Sequence, residues 1–115
     1  MRRGVKVQEK TQVTKTLHQI LQKLDAELRE LEGKRSFIRM LKNKWWPEAR
    51  KWLETHDSGL GELYHQATLI DAYGGDFDRF VAEHLEPLEK QLTSKISLIR
   101  VVKASLRVIL EVLEK

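Results

Sequence analysis

Residues 17–33 read LHQILQKLDAELRELEG. Leucines stand at Leu17, Leu21, Leu24, Leu28 and Leu31, at intervals of 4, 3, 4 and 3. That spacing keeps one apolar residue per turn on a single face, the seam of a coiled-coil helix. Ile20 widens the stripe to the breadth that a bundle helix buries. Gly33 follows the last leucine and suits a left-handed C-terminal cap. A first helix is therefore expected from about Gln8 to Glu32, preceded by a flexible basic arm at residues 1–7.

The helical period continues downstream. Phe37, Ile38, Leu41, Trp45, Ala49 and Trp52 share one face of a second helix, Ser36 to Thr55. Pro47 lacks the N–H that a helix interior needs, so a kink or restart is expected around Trp46. Asp57-Ser58-Gly59 is turn chemistry. Leu60, Leu63, Tyr64, Ala67 and Ile70 mark a third helix, broken at Gly74-Gly75. Asp76 is placed to cap a short continuation that buries Phe77, Phe80, Val81 and Leu85. Pro87 reads as the first-turn proline of a last helix ending near Glu114.

In that last helix, 12 of the 18 residues from Ile96 to Leu113 are apolar. Arg100, Lys103, Arg107 and Glu111 form one narrow polar stripe. Ile96, Ile99, Leu106, Leu110 and Leu113 line one face; Leu98, Val101, Val102, Val108 and Val112 lie beside them. A small bundle hides only part of such a helix, so self-association, at least as a dimer, is expected. The expected fold is all-α: an antiparallel four-helix bundle in one domain, residues 1–115, with the third helix broken at Gly74-Gly75.

Charge is sorted along the chain. Residues 1–51 carry 14 Lys and Arg against 6 Asp and Glu; residues 52–89 carry 1 against 9; residues 90–115 carry 6 against 2. The net +4 thus conceals opposed fields, which govern association rather than fold. Acids of the middle segment, among them Glu62, Asp71, Asp78 and Glu83, are expected to face the basic helices. There are no cysteines, which excludes disulfides and thiolate metal sites and suits a cytoplasmic setting. The basic start is not followed by an apolar run, so no secretory signal is expected. The four charges within 96–113 argue against a membrane span.

Lys34 to Lys51 holds seven basic residues and one acid, with Phe37, Trp45 and Trp46 among them. Continuing one helical phase, Arg35, Arg39, Lys42, Trp46 and Arg50 fall within an arc of about 80°. Trp46 is then expected to point outward among cations, and Trp45 and Trp52 inward. Cations spaced along a helix can follow phosphates, and an exposed indole can stack on an unpaired base. Lys34, Arg35, Arg39, Lys42, Trp46 and Arg50 are therefore the candidate contacts to nucleic acid, RNA or DNA, or to another polyanion. The same row could instead pack against the acidic segment.

Arg50 with His56, and Arg79 with His84, have a spacing that resembles the R-x(4–6)-H signature of the HEPN ribonucleases, which are small helical bundles that dimerise. The resemblance implies an RNA-cleaving site built from two protomers. It covers that short motif and the fold class. That family usually has a polar residue, often Asn, Asp or His, directly after the arginine; here Lys51 and Phe80 follow. Glu62 and His65 form one Glu-x-x-His, half of a di-iron carboxylate motif, whose second half is absent. The histidines lack zinc-ligand spacing, and no strand precedes the Gly pairs. No catalytic residue, metal ligand or cofactor is assigned. The reading is a non-enzymatic helical subunit, homo-oligomeric or part of a complex, whose basic helix contacts a polyanion. The alternatives are a protein-partner module of antitoxin, immunity or chaperone type, and the HEPN-like ribonuclease.

Overall fold

The first helix, α1, spans Arg2–Lys42 and passes through Gly33 without interruption. One glycine costs a helix interior only about 1 kcal/mol, and the flanking Leu31, Glu32, Lys34 and Arg35 all favour the helix. Nothing beside Gly33 offers the turn chemistry that would stop it, so the expected cap there is corrected. The computed structural model describes residues 2–56 and 59–115, with side chains from Glu9 onward. Residues 2–7, expected as a flexible arm, belong to α1, while Met1, Asp57 and Ser58 lie outside the described residues.

The real end of α1 is a Schellman turn. Lys44 N–H donates to the Leu41 carbonyl (3.1 Å) and Trp45 N–H to the Met40 carbonyl (2.9 Å). Lys44 takes the left-handed position with φ 59°, which usually falls to glycine. Helix α2, Trp46–Thr55, then restarts with Pro47 in its first turn, where the missing N–H costs nothing. Helix α3, Gly61–Ala72, ends with the same geometry: Gly74 has φ 72°, and Gly75 N–H donates to the Ile70 carbonyl (2.8 Å).

Asp76 caps α4, Phe77–Phe80, as expected: its Oδ1 accepts from Arg79 N–H at 3.0 Å. A π-helical turn, Val81–Leu85, follows, and then α5, Glu86–Glu114. Pro87 falls in the first turn of α5, as expected, but the backbone enters that turn from the π turn without a break. The proline ring would press on the carbonyl of residue 83 in a regular helix, and the wide turn immediately before it relieves that clash. The Glu86 N–H reaches back to the Val81 carbonyl. The chain is all-helical, with no strand among the described residues and no described helix long and apolar enough to cross a membrane.

Contacts within the chain cluster into two compact units. The first joins Met1–Leu31 to Lys95–Lys115. Its buried residues are Leu21, Leu31, Ile96, Ile99 and Leu110, with Leu17, Leu24, Leu28, Leu106 and Leu113 half-buried. The leucine seam is thus the packed face. Lys103 occupies a seam position at 13% side-chain exposure and is ion-paired with Asp25. That contact holds the Asp25 carboxyl below its ordinary range. Nearer the end, His18 Nε2 meets Glu114 Oε1 at 2.9 Å.

The second unit is Glu32–Ser94. Phe37, Ile38, Leu41 and Leu85 are fully buried, among Ala49, Ala67, Phe77, Phe80 and Leu92. Trp52 stacks on Phe37, with ring centroids 4.7 Å apart. A Cβ on Gly33 would lie 3.6 Å from the Trp52 indole nitrogen, an ordinary contact. This unit contains the whole stretch on which the basic-helix reading rests.

Candidate functional site

Two cations of the expected phosphate-tracking row, Arg39 and Lys42, share one carboxylate of their own chain. Glu89 accepts from Arg39 Nε through one carboxylate oxygen and from Lys42 Nζ through the other, both at 2.9 Å. Burial acts to raise the Glu89 carboxyl, but the hydrogen bonds from Lys42 and Arg39 outweigh it and hold it below its ordinary range. Lys44 pairs with Asp71 at 2.9 Å and lies 4.9 Å over the Phe77 ring. The Lys44 hydrogen bond, with a further one from Trp46, lowers the Asp71 carboxyl against the effect of burial. Opposed charge is thus used inside the unit, as the acidic middle segment leads one to expect.

The tryptophan assignment is reversed. Trp46 Nε1 donates to Asp71 Oδ2 (3.3 Å), and its ring meets the edges or faces of Tyr64 (6.2 Å) and Phe77 (6.0 Å). Trp45 is 54% exposed. The cause is the left-handed residue at Lys44, which ends α1 and gives Trp46 the phase of a new helix. Of the remaining candidates, Lys34 is half-buried and engaged within the chain, and Arg35 is half-buried. Arg50 is exposed, 3.9 Å from Glu54 one turn ahead.

Arg50 also borders an open groove of about 580 Å³, lined by Trp46, Pro47, Arg50, Lys51, Glu54 and Tyr64. Two cations and two aromatic rings share it, a combination that suits an anionic or flat ligand. In both arginine–histidine pairs the histidine ring packs on an aromatic ring. His56 lies flat on Trp52 at 4.3 Å, while Arg79 bonds Glu83 and His84 leans on Phe80 at 5.1 Å. Among the described residues, no three His, Asp or Glu side chains gather as a metal ion would require.

The most prominent surface lies on α5. Leu98, Val101, Val102, Val108, Ile109 and Val112 are exposed by 38–66%. The buried residues of the same helix are Leu92, Ile96, Ile99 and Leu110. The two apolar faces legible in the sequence are therefore one packed and one bare. Ile109, assigned to neither face from the sequence, belongs to the bare one. Val13 and Ile20 of α1 are also exposed in this unit.

No family model, curated protein or solved structure matches this chain.

Proposed function

We propose that the chain is a binding subunit, not an enzyme, that takes its place in a larger protein assembly through the bare apolar face of α5. The observation that carries this reading is the six exposed aliphatic residues within residues 98–112. The largest apolar patch on a soluble protein often marks an interaction site. The cysteine-free composition suits assembly in the cytoplasm. The test is the native mass of the chain in extracts of the cells that make it. A Val101→Glu, Val108→Glu variant should lose the assembly while keeping its helix content. Wild-type chain running at monomer mass in such extracts would overturn the reading.

A polyanion contact is a second reading, favoured by Arg50 and Lys51 beside Trp46 and Tyr64 in the α2 groove. Arg39 and Lys42 support it less, because Glu89 already holds both. A labelled oligonucleotide should then bind with steep salt dependence and be released by Arg50→Glu with Lys51→Glu. Absence of binding at low salt would remove it.

A further inference from the structure

We infer that the occupant of the α5 face is a second copy of this chain, its α5 lying antiparallel across a two-fold axis at Ser105. The inference rests on the assembly reading above and names its partner. The bare face consists of Leu98, Val101, Val102, Val108, Ile109 and Val112, with the exposed Ser105 at its centre. Measured from Ser105, these residues stand at 3, 4 and 7 positions on either side. The pattern reads the same in both directions. A two-fold axis at Ser105 would set Leu98 opposite Val112, Val101 opposite Ile109, and Val102 opposite Val108. Each pair joins aliphatic side chains of similar size. Isologous contacts require this property, because residue i must meet j while j meets i. The helical period gives any one-faced stripe this spacing about its centre, so the positions permit the two-fold pairing, and the matched aliphatic side chains at all three pairs make the face complementary to itself.

Three further features agree. At 100° per residue the six residues and Ser105 fall within an arc of about 120°. Arg100, Lys103, Arg107 and Glu111 all lie outside that arc, so no charge would be buried in the contact. Second, the only small residue on the midline is Ser105, where two crossing backbones would come closest. Third, five of the six aliphatic residues are β-branched valine or isoleucine. Such side chains are already stiff and lose little freedom when covered.

Area supports a pair of copies as well. The six residues expose an apolar patch on the order of 500 Å², near the upper end of the roughly 300–600 Å² found on monomers. Two such patches in contact remove about 1,000 Å², the size at which a specific interface becomes plausible.

The absence of cysteine makes the geometry directly testable. Ser105→Cys, Leu98→Cys and Val112→Cys are made singly in the full chain and oxidised, then run without reductant. Ser105→Cys should cross-link to itself. Leu98→Cys alone and Val112→Cys alone should stay uncoupled, whereas their equal mixture should cross-link. Self-coupling of both Leu98→Cys and Val112→Cys, without the mixed product, means parallel pairing and overturns the proposal. Light scattering of the purified chain at high micromolar concentration should give twice the chain mass. Val101→Glu with Val108→Glu should weaken that association by at least about a hundredfold, since each carboxylate would be buried unpaired. A purified wild-type monomer with full helix content overturns the second-copy proposal. If cell extracts still hold that chain in a larger complex, the assembly reading stands with a different partner; if they do not, both fall.

Discussion

Replacing Trp46 and Trp45 in turn separates two adjacent residues with opposite surroundings. Trp46→Ala removes two edge-to-face ring contacts, each worth about 0.5–1.5 kcal/mol. It also removes a hydrogen bond to the Asp71 carboxylate, a class worth about 1.5–3 kcal/mol. Trp46 is half-buried, so the total belongs near the low end of the roughly 3–5 kcal/mol seen when a large core ring is deleted. About 3 kcal/mol is expected. With a urea slope of about 1.5 kcal/mol per molar, that moves the midpoint down by roughly 2 M. Trp45→Ala should change stability by no more than about 0.5 kcal/mol, because the side chain is 54% exposed and the turn is held by the main chain. Trp46→Phe keeps a ring against Tyr64 and Phe77 but loses the donor, and should fall between the two. Far-ultraviolet circular dichroism is the suitable readout, since it does not depend on the indoles being changed. A Trp45→Ala cost equal to or larger than that of Trp46→Ala would refute the packing described here.

Gly33→Ala should stabilise the protein by about 0.5–1 kcal/mol, because Gly33 lies inside α1 and the new methyl meets Trp52 at ordinary contact distance; thermal melting that shows a loss would mean a left-handed cap after all. Acid should weaken the fold. Asp25, Asp71 and Glu89 all have carboxyls held below their ordinary range, so their contribution is complete above the unfolded values and fades as pH falls through the folded ones, roughly from pH 5 toward pH 2. Chemical melts between pH 7 and pH 3 should show this decline. Glu89→Gln should be less stable at neutral pH and show a shallower decline, and an unchanged slope in that variant would exclude Glu89 as a contributor.

The parts of the fold that the sequence discloses are those written in a regular period or in local cap chemistry. Leu17 to Leu31 repeat cleanly, and they form the seam. Asp76 needs only the N–H three residues ahead, and it caps α4. Pro47 needs only its own missing N–H, and α2 restarts there. What escaped involved competition between signals. Gly33 resembles a stop, but its strong helix-forming neighbours carry the helix onward. Lys44 does not resemble one, yet it adopts φ 59°. Its ammonium finds Asp71 and the face of Phe77 there, partners from distant elements that no local pattern announces. The misplaced Trp46 follows directly, since a helical wheel drawn through Lys44 assumes a phase that the chain abandons. Lys103 escaped for a related reason: its polar neighbours suggest solvent, while Asp25 supplies a partner inside the seam.

The wide turn at Val81–Leu85 determines where this chain can change length. Phe80 and Leu85 are both buried although five positions apart, a separation that turns a regular helix through about 140° beyond one full turn. The π turn absorbs the surplus residue, so the turn acts as a built-in insertion whose phase error has already been corrected. Removing Ala82 together with Pro87→Ala should leave an ordinary α-helix with Phe80 and Leu85 four apart and still on one face, and such a chain should melt cooperatively. Removing Lys90 instead would swing Leu92 away from Leu85 with no spare residue to restore it, and cooperative melting should be lost. Length variation in this part of the molecule is therefore confined to a single turn.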